Sequence, residues 1–313
     1  MIKFSIITVC LNAGNDLLET VESTLKQSYD EFEIIVKDGF SKDESISKLP
    51  QDKRIHVVQK KDSGIYDAMN QGIEVAQGDY LIFMNAGDRF YDSDVLECIA
   101  NGIKKTPGDL YYGRCYNQIL DVVDPAPKKL TKYFCYRSMI CHQATIYKAS
   151  MLKKRGYDVS YTVSADRERM LYAVIKEKVR CIYLPVVVVA FQGGGFCTTD
   201  KAKYMLEEEK KSLTKQYFSF LEQLKYGFRH KITLPAIRKR ILQNKAVVRS
   251  YRKIISRIYG NWGKRMSIVI INQGWTDNLG DVAIGNVLEK IWRNLILSYS
   301  HMHQLQQKSQ EVQ

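Results

Sequence analysis

Two largely apolar runs that each stop at a carboxylate constrain this chain most. Residues 32–38 read Phe-Glu-Ile-Ile-Val-Lys-Asp and end on Asp38, and the apolar residues 80–84 pass straight into Asn85-Ala-Gly-Asp88. Stretches of this length rich in β-branched and aromatic residues read as buried strands. The run at residues 3–12, with Ile6, Ile7, Thr8 and Val9 at its centre, reads the same way and opens the fold. Helix signals lie between the strands: Asp16 with Glu19 three residues on has the form of a capping box, and Leu17, Val21 and Leu25 line one face behind it. Residues 1 to about 120 therefore alternate strand and helix, the mark of a mostly parallel α/β sheet. Ligands of such sheets collect just outside the carboxyl ends of the strands, where Asp38 and the 85–88 loop fall.

Composition narrows the class. An apolar content of 45% over 313 residues supports a sizeable core. Seven scattered cysteines, odd in number and without a Cys-x-x-Cys pair, give neither a disulfide framework nor a zinc spacing, and read as thiols in a reducing cytoplasm. No charged leader with an apolar segment precedes the first strand. The most apolar run, residues 181–191, contains Pro185 and is too short to span a bilayer. The net charge of +13 is uneven: residues 221–265 hold thirteen Lys or Arg against Glu222 alone, so the remainder is close to neutral.

The second half continues with a crossing loop at 121–131, a helix at 164–177 and a strand at 179–189. Helical intervals then run from 200 to 260, through Leu213, Phe218, Leu221 and Leu224 and on past Pro235. After the break at 260–263, a strand at 266–272 leads through Asn278-Leu-Gly-Asp281 toward a helix. The expected organisation is a catalytic domain over 1–200, a basic amphipathic helical extension over 201–262, and a strand-helix stub over 266–313.

Asp62-Ser-Gly-Ile-Tyr-Asp-Ala-Met-Asn70, then Asn85-Ala-Gly-Asp88, then Ser164-Ala-Asp166, in this order and at these strand ends, resemble the family 2 glycosyltransferases of the GT-A fold, in the branch that builds bacterial surface polysaccharides. The resemblance covers residues 1 to about 200. Phe40 and Lys42 depart from the loop that usually follows the second strand's aspartate, and Arg167 stands where an aromatic is usual. The stub resembles the opening of polysaccharide pyruvyl transferases.

The resemblance implies a nucleotide-sugar donor and an inverting transfer. Thr8 and Val9 would flank the base, Asp38 would bond base or ribose, and Asp67, Asn70 and Asn85 would contact the nucleotide sugar. Asp88 would hold Mn²⁺ or Mg²⁺ in a site with a single carboxylate, shared with diphosphate oxygens. Asp166 would be the general base, with Glu168 its rival. His142 approaches acceptor or diphosphate, and Gly193 and Gly194 belong to a glycine-rich flap. A lipid-linked saccharide acceptor, and an anionic membrane surface met by residues 221–265, make the enzyme cytoplasmic and peripheral to the inner face of the plasma membrane. No motif points to nucleic acid. The rival readings are a nucleotidyltransferase, for which the first strand lacks a glycine-rich basic loop, and a catalytically degenerate docking protein.

Overall fold

The computed structural model describes residues 1–119, 121–124, 126–193 and 200–232. Gly194, the basic segment from 233 onward and the stub at 266–313 lie outside them. Residues 1–226 fall in one compact unit, and the fold below is that of this unit.

The first half comprises β1 (Phe4–Cys10), α1 (Asn15–Leu25), β2 (Phe32–Asp38), β3 (Ile55–Gln59), α2 (Ile65–Val75) and β4 (Tyr80–Phe83). Its four strands are parallel and lie in the order β3-β2-β1-β4. Successive side chains of a strand point to opposite faces. Ile7, Val9 and Ile35 accordingly pack with Tyr66, Met69 and Ile73 of α2. Phe4, Ile6, Ile34 and Val36 pack on the other face with Leu17 and Val21 of α1. The close approach of β4 to β1 needs Gly78, where a Cβ would stand 2.6 Å from the Ser5 amide nitrogen.

The second half runs through β5 (Arg89–Phe90), α3 (Val95–Lys105), β6 (Leu110–Asn117), β7 (Val122–Asp124), α4 (Lys132–Arg137), a 3₁₀ turn (His142–Ala144), β8 (Thr145–Lys148) and α5 (Ala149–Lys154). It continues with α6 (Ala165–Leu171), a π-helical turn (Tyr172–Glu177), β9 (Cys181–Phe191), α7 (Asp200–Tyr217) and α8 (Phe220–Ile232). The sheet extends from β4 as β8-β6-β9-β5, with β7 paired to β6. The result is an α/β fold whose sheet is parallel across its first four strands and mixed beyond them. β8 is antiparallel to β4 and to β6, while β9 is parallel to β6.

Two of these reversals place the site. Because β8 runs against β4, with Ile82 opposite Ile146, the turn just before β8 lies beside the loop just after β4. Because β9 runs against β5, with Arg89 opposite Ala190, the residue after β9 lies beside Asp88.

Three local expectations change. Asp16 and Glu19 do not form a capping box: Glu19 pairs with Arg89 at 3.0 Å, and no side chain caps α1 at Gly14. Nor does Ser164 cap α6, because its hydroxyl donates to Glu209 of α7. The compact unit also continues to Tyr226, past the boundary expected near residue 200. Leu213, Tyr217 and Phe218 are buried in the same core as α2 and α6, so α7 completes that core.

Candidate active site

The loop after β4 is held by residues from far along the chain. Asp88 is almost wholly buried, and its Oδ1 accepts from the Gln192 amide at 3.0 Å while its Oδ2 accepts from Gln143 Nε2 at 3.0 Å. Burial pushes its carboxyl up to about 6, against the smaller opposing effect of these two bonds. Gly87 adopts φ +96 with the Gln192 side-chain oxygen where a Cβ would be, so no other residue fits there. Gly193 follows at φ +79.

Asn85 and His142 meet across the β4–β8 junction, with Asn85 Nδ2 3.5 Å from His142 Nε2. Burial lowers the histidine's pKa below its ordinary value, while the charge of Asp166 acts the other way, so the ring is neutral at pH 7. Thr8 Oγ1, Asn85 Oδ1 and His142 Nδ1 are all buried without a partner among the described residues. Such orphaned polar atoms mark a place built for a ligand or ordered water.

Asp166 stands in the first turn of α6. Its Oδ1 accepts from Tyr66 Oη at 3.1 Å and from the Arg167 amide at 2.7 Å, and its Oδ2 has no partner among the described residues. Its rival is excluded by packing. Glu168 is fully buried, accepts two hydrogen bonds from Arg155 at 3.0 and 2.8 Å, and also accepts from Tyr217 Oη. That carboxylate ties α6 to α7 and faces no substrate. Glu168→Ala should therefore cost roughly 3 kcal/mol, the size expected when one partner of a buried ion pair is removed. Urea melts would measure it, and a loss below about 1 kcal/mol would contradict this structural role. Arg167, the departure after Asp166, turns inward and donates to the carbonyls of Cys135 and Tyr136 at the end of α4.

The remaining residues are held by protein partners. Asp38 is wholly buried and accepts from Ser41 N, Ser41 Oγ and Gln59 Nε2. Burial works to raise its pKa, but these bonds outweigh it and hold the carboxyl below its usual value. Thr8 and Val9 lie beyond the last β1–β4 pair, Ile7 with Phe83, at the sheet's carboxyl edge, and both are buried. Asp67 accepts from Ser63 N at 2.8 Å, the main cause of its lowered pKa. Asn70 exchanges two bonds with the Tyr157 backbone, at 2.9 and 2.8 Å, and thereby ties α2 to the segment before α6.

The structure thus brings together Asn85, Asp88 and His142, joined through Gln143 and Gln192, while Asp166, held by Tyr66, lies near enough for its charge to act on His142. It leaves Asp38 two strands away, Asp67 bonded to Ser63 just before α2, and Asn70 tying α2 to the Tyr157 backbone. The 3₁₀ turn is the bridge: Gln143 bonds Asp88, and His142 meets Asn85 and feels the charge of Asp166. Gln143, Gln192 and Glu209 did not stand out as functional residues in the sequence. Glu209 accepts from Thr162 N, Val163 N and Ser164 Oγ at 2.7, 3.2 and 2.5 Å, and so sets the start of α6. Of the three, Gln143 had a signal in its place beside His142, and Gln192 in its place at the head of the glycine-rich flap.

A nucleotide-type parallel half-sheet, an acidic loop after its fourth strand, and an opposed carboxylate on a later helix define a GT-A glycosyltransferase. Residues 5–166 match the glycosyl transferase family 2 model, and the chain belongs to that family. A PGL/p-HBAD biosynthesis glycosyltransferase of Mycobacterium bovis is 31% identical over 212 residues, which cover 65% of this chain and 82% of that protein. Glycosyltransferase GlyG of Streptococcus pneumoniae is 32% identical over 118 residues, 36% of this chain and 39% of that one. In fold, the chain is similar to S. aureus TarS 1–349 in complex with UDP, with a TM-score of 0.53 at 17% identity over 71% of this chain and 74% of that one.

Proposed function

We propose that the protein is an inverting glycosyltransferase that moves a sugar from a uridine diphosphate donor to a lipid-linked saccharide in bacterial surface-polysaccharide assembly. The observation that carries this reading is the open Oδ2 of Asp166, beside the turn whose other residue bonds Asp88. The acceptor hydroxyl attacks the anomeric carbon as the bond to the diphosphate breaks, and Asp166 takes the hydroxyl proton. Tyr66 and the Arg167 amide fix one oxygen of that carboxylate and aim the other.

Among the described residues no group of three or more His, Cys, Asp or Glu forms a metal cluster. Asp88 with the unpartnered Asn85 Oδ1 is instead a partial set of hard oxygen donors. Such a pair fits Mn²⁺ or Mg²⁺ when phosphate oxygens complete the shell. When bound, the cation neutralises charge on the departing diphosphate. Thr8, Val9, Asp38, Asp67 and Asn70 then belong to the walls of the donor site rather than to its reacting centre.

The donor class is supported by the UDP bound to the TarS structure. Glycosyl transfer itself is supported by the PGL/p-HBAD biosynthesis glycosyltransferases among the mycobacterial relatives. No helix among the described residues is long and apolar enough to cross a membrane. Contact with an anionic bilayer is supported by Phe220, Leu221 and Leu224, exposed on α8, together with the run of cations that follows in sequence.

Incubation with labelled uridine diphosphate sugars should give metal-dependent release of UDP, increased by vesicles carrying anionic lipid and a polyprenyl-linked saccharide. Failure to bind any nucleotide would favour a docking protein. Nucleotide binding with no increase on vesicles would remove the membrane part alone.

A further inference from the structure

Tyr66, which holds Asp166, is itself backed by a second tyrosine. From the first turn of α2 its Oη donates to Asp166 Oδ1 at 3.1 Å, and its ring centroid lies 5.5 Å from that of Tyr157. Tyr157 also meets Phe83, the last residue of β4, edge to face at 5.3 Å. All three side chains are buried. The ring of Tyr157 therefore joins the support of Asp166 to the strand that runs into Asn85 and Asp88. Tyr157 belongs to no helix or strand, since it lies between α5 and α6. Its place is set by Asn70 of α2, whose Nδ2 donates to Tyr157 O at 2.9 Å and whose Oδ1 accepts from Tyr157 N at 2.8 Å. One side chain thus satisfies both main-chain groups of Tyr157, as a strand pairing would. That clamp needs Gly156, where a Cβ would stand 2.3 Å from Asn70 Oδ1.

From these contacts we infer that Tyr157 is a positioning residue for the general base, backing Tyr66 on one side and Phe83 on the other. The inference rests on the reading of Asp166 as the base and deepens it. If the ring of Tyr157 moves, Tyr66 is free to turn, and Asp166 keeps only the Arg167 amide to aim its open oxygen. A base held slightly out of line loses rate, because its reach to the acceptor hydroxyl depends on the shell that supports it. Donor affinity does not depend on that aim. The contact with Tyr66 is made by the ring, so the Tyr157 hydroxyl has no part in it.

The test is transfer from labelled uridine diphosphate sugars to the polyprenyl-linked saccharide, with UDP binding measured beside it. Tyr157→Phe should keep the wild-type kcat. Tyr157→Leu and Gly156→Ala should each lower kcat on the order of tenfold and leave the Kd for UDP unchanged. Gly156→Ala displaces the ring without altering any side chain of the cluster, so it carries the test if the leucine variant does not fold. Tyr66→Phe, which keeps the packing and removes the bond to Asp166, should lower kcat at least as far. In that background either change at 156 or 157 should cost less than about a further twofold, because its route to the base is already cut. Wild-type kcat in the folded Leu and Ala variants or in Tyr66→Phe, a loss that persists in full without the Tyr66 hydroxyl, or an equal loss of UDP affinity would each overturn the positioning role. Full transfer by Asp166→Asn would instead remove the base itself, and this role with it.

Discussion

Asp88→Asn should abolish transfer and, in the metal-free protein at neutral pH, raise the melting temperature. Both effects have one cause. The carboxylate is buried, with a pKa raised from 3.8 to about 6, and no cation among the described residues offsets its burial. The sign follows from proton binding. Between pH 4 and 6 the folded protein holds a proton here that the unfolded chain has lost, so this group's contribution to stability falls as pH rises through that window. Above pH 6 the ionised side chain opposes folding by about 3 kcal/mol.

A neutral asparagine removes that opposition while still accepting from the Gln192 amide. The gain should be several degrees at pH 7.5 and about a third of that at pH 4.5, at about 2–4 °C per kcal/mol for a domain of this size. Transfer should fall on the order of a thousandfold, because several kcal/mol of charge stabilisation at the diphosphate go with the metal ligand. Thermal melts with chelator at the two pH values, and transfer assays with Mn²⁺, check both parts. A variant that melts lower at pH 7.5, or keeps more than about a tenth of the activity, contradicts this account of Asp88.

Asp166→Asn should separate chemistry from binding. The side chain keeps its shape and can still accept from Tyr66 and the Arg167 amide, so neither the fold nor the affinity for UDP should change. A general base contributes on the order of 10²–10⁴-fold. Loss of kcat in that range, with an unchanged melting temperature and unchanged Kd for UDP, is the expected result. Full transfer by the folded variant with the true acceptor would remove Asp166 from the mechanism. A parallel loss of UDP affinity would assign it to the donor instead.

Much of the scaffold was legible in the chain because it is written in short-range pattern. β1, β2 and β4 are apolar runs buried on both faces, and α2 is an amphipathic helix ahead of β4. Turn chemistry at Asp38 and at residues 85–88 marks where the strands stop, so the carboxyl edge of the sheet and its acidic loop could be read directly. The choice between Asp166 and Glu168 could not. The two lie two residues apart in one helical turn, and only the arrival of Arg155 and Tyr217 makes one of them structural. The same holds for Asn70, whose partner Tyr157 is 87 residues away, and for Asp88, which is bonded by Gln192 104 residues later.

The sequence alone determined the strand ends, the residue types available there and the family those motifs signal, since each depends on neighbours a few positions apart. Tertiary structure decided which carboxylates are open, which are already paired, and that α7 belongs to the catalytic core. Those outcomes depend on the antiparallel entry of β8 and β9 beside β4 and β5, on burial that raises the Asp88 carboxyl, and on hydrogen bonds that hold the Asp38 carboxyl down. Neither strand direction nor desolvation is encoded in any local window of residues.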